Sequence, residues 1–307
     1  MMILVCGIPS EGPIAMVRQA LTKLGIDYVM FNQRHFANMA LFYEIDRGEI
    51  RGELRINGRS HPLEQFKGVY TRLMGIEQLP ELENEPPDSP QRQYAQSLHD
   101  ALMTWYEIAP INVVNRTGPM GSNFSKPYQS QLIRQHGLLP PDTLISNNPA
   151  AVQEFQREYG RIIYKSISGV RSIVQTLTDK DMERLDLIRW CPTQFQAFVP
   201  GTNVRVHTIG SELFATSIET TATDYRYAHH QAGKGARLTA VDLPDDITQR
   251  CLALTRSLGL AFAGIDLKIT PEGKVYCFEV NPSPAFSYYE AQTSQPIAQA
   301  VARHLAS

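Results

Sequence analysis

The stretch Phe262–Pro284, FAGIDLKITPEGKVYCFEVNPSP, limits what this chain can fold into more than any other. It reads as two strands, Phe262–Ile269 and Val275–Val280, joined by Thr270-Pro271-Glu272-Gly273. Pro and Gly stand there where a turn favours them. Asp266 lies on the first strand, and Glu279 and Asn281 at the end of the second. Residues two apart on an extended chain share a face, and pairing across the turn brings Asp266 beside them. A carboxylate inside the apolar run CFEVNP is costly to bury without a partner. Hard cations such as Mg²⁺ take oxygen ligands and keep phosphate and water in their shell. The stretch therefore reads either as a divalent-metal site holding a nucleoside triphosphate or as a surface hairpin with ordinary carboxylates. The hairpin alone does not decide between them.

The chain of 307 residues is long enough for two or three compact units. Its formal net charge of −2 argues against a general nucleic-acid binder, which carries a basic excess. Cys6, Cys191, Cys251 and Cys277 form no CxxC unit, so they are expected to be reduced, buried thiols of a cytoplasmic protein. The start, MMILVCGIPSEG, is too short and uncharged for a signal peptide, and no run approaches a membrane span.

Met2–Cys6, a helix over Ile14–Leu24 ended by Gly25, and Tyr28–Phe31 read as strand, helix and strand, half of a doubly wound sheet. The loop Gly7-Ile-Pro-Ser-Glu-Gly12 is not GxGxxG, which argues against a dinucleotide site. Ala40–Ile45, Ile50–Ile56 and Gly68–Tyr70 read as further strands, with Asn57-Gly58 as a hairpin turn. An antiparallel insertion of this kind serves as plain sheet or as a docking edge for a peptide. Arg72 closes a strand, where α/β folds place ligand contacts. Leu79–Pro90 reads as a Pro-rich loop, and Gln91–Ile108 as a helix with Tyr94, Leu98, Ala101, Leu102 and Trp105 on its core stripe.

Further on, Lys126 opens a helix ended by Gly137, and Lys165 ends the strand Arg161–Tyr164. Either lysine suits a phosphate, although a lone Lys is more often solvated. Thr193–Ile209 reads as strand, Pro-Gly turn and strand; its Gln196-Ala197-Phe198-Val199 run offers backbone groups for an adenine. Arg205, between Val204 and Val206, is expected to be partly buried against an anion, either a phosphate or a protein carboxylate.

Lys126, Lys165, the Gln196–Val199 hinge, Arg205, Asp266 and Glu279-x-Asn281 follow the order and approximate spacing of the ATP-grasp superfamily, which the chain resembles from about Asn112 to Ser307. Within it the sequence is similar to the ribosomal-protein-modifying glutamate ligases, and most of all to the ligases that macrocyclise ribosomal peptides of the microviridin, or graspetide, type. Asn115 with Lys126, Tyr164-Lys165-Ser-Ile-Ser-Gly169, Phe195-Gln196, Asp224-Tyr225-Arg226 and the tail from Asn281 carry that likeness.

The resemblance implies an α/β ATP-grasp fold with α+β subdomains: an N-terminal pre-ATP-grasp domain with a β-hairpin insertion (1–111), a central subdomain (112–192) and a C-terminal one (193–307). It implies an ATP-dependent ligase that makes an acyl-phosphate and passes it to an amine or hydroxyl. Arg205 and Lys165 would be catalytic. Lys126, Lys165, Gln196, Ala197, Phe198, Val199 and Asn203 would bind ATP. Asp266, Glu279 and Asn281 would hold Mg²⁺, in a two-ion arrangement, with Mn²⁺ as an alternative. Arg72, Asp224, Arg226 and Ser283 would face the substrate, a peptide with a leader segment. A homodimer that binds neither nucleic acid nor membrane is implied as well. Two alternatives stay open: a small-molecule carboxylate–amine ligase of the glutathione-synthase kind, and an ATP-binding regulatory protein without turnover. Three features depart from the family: one glycine in SISGVRS, Asn203 where an Asp is common, and Pro-Ser-Pro-Ala-Phe after Asn281.

Overall fold

A computed structural model describes residues 2–167, 174–220 and 236–307. The apolar run at the start forms β1 (Met2–Gly7), which α1 (Gly12–Lys23) carries over to the parallel β2 (Asp27–Asn32). Parallel neighbours need such a crossover. With β6 (Phe66–Thr71) and β7 (Asn112–Val114) they make a four-stranded sheet ordered β2-β1-β6-β7. Between β2 and β6 lies a separate antiparallel sheet of β3 (Met39–Asp46), β4 (Glu49–Ile56) and β5 (Arg59–Pro62). Asn57 and Gly58 both take positive φ, 50° and 80°, as the tight β4–β5 turn requires.

Helix α2 (Pro90–Ile108) is capped by the Ser89 hydroxyl, which accepts from the Arg92 amide at 3.3 Å. Its buried stripe is Ala95, Leu98, Leu102, Trp105 and Tyr106. Tyr94, expected on that stripe, is instead 43% exposed. Its hydroxyl donates to the Met39 carbonyl at 2.5 Å, so the ring lies along β3 rather than in the core. Ala101 is half-buried at the stripe's edge.

The short α3 (Thr117–Met120) leads to α4 (Lys126–Gln135), whose N-cap Ser125 accepts from the Tyr128 amide. A second antiparallel sheet follows, ordered β10-β9-β11-β8: β8 (Thr143–Ser146), β9 (Ile162–Ser166), β10 (Gln175–Thr176) and β11 (Thr193–Ala197). It carries α5 (Pro149–Tyr159) and α6 (Asp179–Glu183). The third sheet, ordered β14-β13-β12-β15-β16, contains β12 (Thr202–Ile209), β13 (Glu212–Glu219), β14 (Arg237–Val241), β15 (Phe262–Ile269) and β16 (Val275–Asn281). One face of it, with Val204, Val206, Ile265, Leu267 and Val280, packs on Ile247, Cys251 and Leu254 of α7 (Asp245–Ser257). Strand alternation then turns Asn203, Arg205, His207, Asp266 and Lys268 to the opposite face.

After β16 come α8 (Ser287–Thr293) and α9 (Ile297–Ala306). The sequence reading did not assign α7, α8 or α9. Helix α9 returns to the first sheet. Its Ile297, Val301 and Leu305 join Ile3, Val5, Ile14 and Val17 in one buried cluster. A Cβ on Gly68 of β6 would strike the Leu305 carbonyl, so glycine lets the helix approach the strand. Three cysteines are buried as expected; Cys191 is exposed, because it follows the short helical turn Leu185–Trp190 at the surface. Leu305→Ala should destabilise the protein by about 2–5 kcal/mol, as large-to-small core changes do. Urea unfolding would read that as a lower midpoint with an unchanged slope.

Candidate active site

The hairpin read from the sequence forms, and a bulge refines it. Asp266 pairs with Glu279 and Gly264 with Asn281, and the register slips between Asp266 and Leu267. The extra residue brings both Phe278 and Glu279 to the wall of one cavity, which strict alternation would forbid. Two carboxylates therefore face each other across adjacent strands, and each holds a cation. Arg205, 6% exposed, donates to Asp266 at 2.6 Å. Lys126 lies 3.1 Å from Glu279 and donates to the Asn123 amide oxygen at 2.9 Å. Between the two partners the sequence left open for Arg205, the protein itself supplies the carboxylate. A Cβ on Gly264 would strike the Arg205 guanidinium, so glycine makes the room that Arg205 occupies.

Two buried amides fix this arrangement, a role that no local pattern around them signals. The Gln129 side chain donates to the Val280 carbonyl at 2.8 Å and accepts from the Val280 amide at 2.9 Å. It thus grips the residue between Glu279 and Asn281, one helical turn from Lys126. Asn115 donates to the carbonyls of Phe262 and Pro282, at 2.6 and 2.5 Å, and accepts from the amides of Ala261 and Phe262. All four of its hydrogen-bonding positions are filled. A Gln at i+3 from a helix-opening Lys was the available signal, but only tertiary pairing gives it meaning.

The cavity lies between the β10-β9-β11-β8 sheet and the β14-β13-β12-β15-β16 sheet. Ile163, Lys165, Gln196, Phe198, Val199 and Asn203 meet Asp266, Lys268, Phe278 and Glu279 there. Lys165 stands on β9 in register with Gln194. Gln196 is buried and donates to the Thr143 hydroxyl at 3.0 Å. Along the hinge, the Ala197 amide donates to the Asp142 carbonyl and the Phe198 amide to the Arg161 carbonyl, both at 3.0 Å. Two of the hinge amides expected to meet a base are thus used by the fold. Val199 is the hinge residue whose amide enters no backbone bond among the described residues.

Arg72 and Ser283, 211 residues apart, come together beyond Asn281. Arg72 donates to Glu11 at 2.7 Å, to the Ser283 hydroxyl at 2.9 Å and to the Pro284 carbonyl at 3.2 Å. Glu11 was not singled out in the sequence. Asn281 accepts from the Ser283 amide at 2.8 Å, which ties this corner to the hairpin. His207 is fully buried, edge-on to Tyr289, with ring centroids 5.0 Å apart. Burial, with Arg205 nearby, drives its pKa well below the usual value, so the ring is neutral. Asp224, Arg226, His229 and His230 lie outside the described residues, as does most of the SISGVRS loop.

Two antiparallel sheets that meet across a cleft, with carboxylates paired to cations at its wall, are the frame of an ATP-grasp fold. Solved structures share it. The chain superposes with a TM-score of 0.84 on a RiPP-associated ATP-grasp ligase of Chryseobacterium gregarium in complex with ADP and a leader and core peptide. The identity is 20%, over 99% of this chain and 96% of that one. Against the ATP-grasp ligase PsnB complexed with minimal precursor, Mg and ADP, the TM-score is 0.78 and the identity 25%, over 99% and 96% of the two chains. A probable alpha-L-glutamate ligase of Parasynechococcus marenigrum is 28% identical over 210 residues, 64% of this chain; the match spans only 44% of that relative's length. Residues 125–305 match the RimK-like ATP-grasp domain family, and the chain belongs to that family. Its fold, family and relatives are those of ATP-grasp ligases.

Gln129→Leu keeps the bulk but leaves both Val280 backbone groups buried and unmet, at about 1–3 kcal/mol each. The expected outcome is a lower unfolding midpoint together with loss of turnover. Full turnover in a folded Gln129→Leu protein would show that β16 holds its place without the clamp.

Proposed function

We propose that the protein joins a carboxylate to an amine or a hydroxyl at the expense of ATP, and that the carboxylate or its acceptor belongs to a ribosomally made peptide. The observation that carries this reading is the gathering of Lys126, Lys165 and Arg205 around the Asp266–Glu279 pair at the end of a hinge-lined cavity. Phosphoryl transfer needs positioning and charge neutralisation more than a nucleophilic side chain. Three cations and two carboxylates in one cleft supply that.

In the proposed reaction a substrate carboxylate oxygen attacks the γ-phosphorus. The bond to the β-phosphate oxygen breaks and ADP leaves. The amine or hydroxyl then attacks the acyl-phosphate carbon, inorganic phosphate departs, and the attacking group loses its proton. Lys126 and Arg205 each hold a carboxylate of the protein and can exchange it for a phosphate oxygen of the substrate. Lys165 adds a third positive charge. Asp266, Glu279 and the Asn281 amide offer only oxygen donors on one hairpin, which fits Mg²⁺ in preference to a softer ion. Mg²⁺ held there would draw charge from the phosphate oxygens. Arg72 and Ser283, next along the same line, would meet the carboxylate-bearing partner, and a guanidinium suits a carboxylate bidentately.

The antiparallel insertion favours a peptide over a small metabolite. Its outer strand β3 is an edge, and Phe42 and Ile45 on it are 53% and 57% exposed. An unpaired edge with apolar side chains suits a leader segment that adds to it. Among the described residues no helix is long and apolar enough to cross a membrane. The three buried cysteines are free thiols, in keeping with a cytoplasmic setting.

Asp266→Asn and Glu279→Gln should abolish Mg²⁺-dependent ADP release while circular dichroism stays unchanged. The amide at 266 is preferred to Ala because it leaves the buried Arg205 with a hydrogen-bond acceptor. Undiminished turnover in both variants would sink the metal assignment. Phe42→Asp with Ile45→Asp should raise KM at least about tenfold for a leader-bearing peptide encoded beside this gene, a change of about 1.4 kcal/mol. ATP hydrolysis stimulated by free amino acids, and by no such peptide, would overturn the peptide reading.

A further inference from the structure

The proposed reaction leaves Glu11 without a task. The residue stands just before α1, and its backbone is fixed on both sides. Its amide donates to the Ile8 carbonyl at 3.0 Å, and its carbonyl accepts from the Ala15 amide at 2.9 Å. A polar side chain at this position commonly caps the helix that follows. The Glu11 carboxylate makes no such cap. It turns instead to Arg72, whose Nε and Nη2 both reach Oε1 at 2.7 Å. Its second oxygen, Oε2, enters no hydrogen bond or ion pair among the described residues. The Glu11 side chain is 34% exposed, so that oxygen is within reach of a ligand.

The corner around it is closely built. A Cβ on Gly12 would strike the Ser287 hydroxyl, so the start of α1 abuts the start of α8. Nη1 of Arg72 donates to the Ser283 hydroxyl and the Pro284 carbonyl. A Cβ on Gly264 would meet both the Pro284 ring and the Arg205 guanidinium. A short path therefore runs from Asp266 through Arg205 and Pro284 to Arg72 and Glu11. Of Glu11, Arg72 and Ser283, only Glu11 offers a negative charge. A primary amine with a pKa of about 10.4, that of a lysine side chain, arrives as an ammonium with three donors. A hydroxyl arrives neutral with one. A carboxylate holds the charged donor more strongly than the neutral one.

We infer that Glu11 recognises the nucleophile, and that the nucleophile is a primary amine, so that the product is an amide. Oε2 accepts from the incoming ammonium, while Arg72 holds Oε1 and so fixes the carboxylate beside Ser283. This inference rests on the ligase reading of the site, and it chooses between the two acceptors which that reading admits. The ammonium gives one proton to solvent, and the amine lone pair attacks the acyl-phosphate carbon. The bond from that carbon to the phosphate oxygen breaks, and the nitrogen passes a second proton to the departing phosphate.

The test uses the full chain with ATP, Mg²⁺ and the leader-bearing peptide encoded beside this gene, unaltered and as Glu11→Gln. Glutamine keeps an oxygen for Arg72 but carries no charge. Two readouts separate the half-reactions. Hydroxylamine traps the acyl-phosphate as a hydroxamate without using a site for the peptide amine, and mass spectrometry reads coupling as the loss of one water. The unaltered protein should give a product that survives mild alkali, as an amide does and an ester does not. Acetylating the amines of the peptide should stop coupling while trapping continues. Glu11→Gln should slow coupling at least about tenfold more than trapping, the scale of one charge-assisted hydrogen bond. Equal slowing of both would make Glu11 a support for Arg72 and overturn the inference. An alkali-labile product, or a hydroxamate with no coupled product, from the unaltered protein would overturn it while sparing ATP-dependent activation of a carboxylate. Neither hydroxamate nor coupled product from the unaltered protein would overturn both readings.

Discussion

Asp266 and Glu279 stand directly opposite each other on neighbouring strands, and like charges so placed repel. Much of the architecture can be understood as the answer to that repulsion. β12 must run beside β15 so that Arg205 reaches Asp266, and α4 must begin beside β16 so that Lys126 reaches Glu279. A buried pair of charges gives little net stability once desolvation is counted, and stranding one member is costly. The value of the arrangement lies elsewhere. In the proposed reaction each carboxylate would trade its cationic partner as a polyanion and its counter-ion enter.

That trade works only if the strand carrying the carboxylates stays still. Side-chain ion pairs are too compliant to fix it, so the protein uses backbone bonds. Gln129 and Asn115 place amide groups on Val280, Phe262 and Pro282, which belong to the hairpin or directly follow it. The Leu139 carbonyl accepts from the Cys277 amide at 2.8 Å further along β16. Three distant parts of the chain thus hold the hairpin from outside. Buried amides with every donor and acceptor met have one geometry available to them, so they specify register as well as add stability.

The sequence displayed this site in proportion to how locally each element is determined. The turn at Thr270–Gly273, the alternating strands, and the glycines ending α1 and α4 are local devices, and they are legible. The charged residues of the cleft were legible because a carboxylate or arginine inside an apolar run needs an explanation. The bulge that brings Phe278 into the cavity wall was not, since one unpaired residue leaves no local signature. Tyr94 shows a different limit: its spacing suits the core stripe of α2, yet a single hydrogen bond to Met39 turns the ring outward. The hinge amides at Ala197 and Phe198 were offered to a ligand by their position alone, and neighbouring carbonyls claim them.

The corner beyond Asn281 joins the two ends of the chain. Glu11 opens the first crossover helix, Arg72 follows β6, and Ser283 follows β16, so the corner proposed to meet the carboxylate-bearing partner belongs to the N-terminal sheet as much as to the hairpin. Helix α9 reinforces that union by burying the end of the chain against the first sheet, where Gly68 gives way to it. A substrate recognised on the β3 edge and reacting at Ser283 would therefore be held by one continuous body. Docking at a distance can then position the reacting group, because the parts between are packed rather than hinged. Binding energy gathered away from the reacting atoms is useful to catalysis only when it is transmitted in that way.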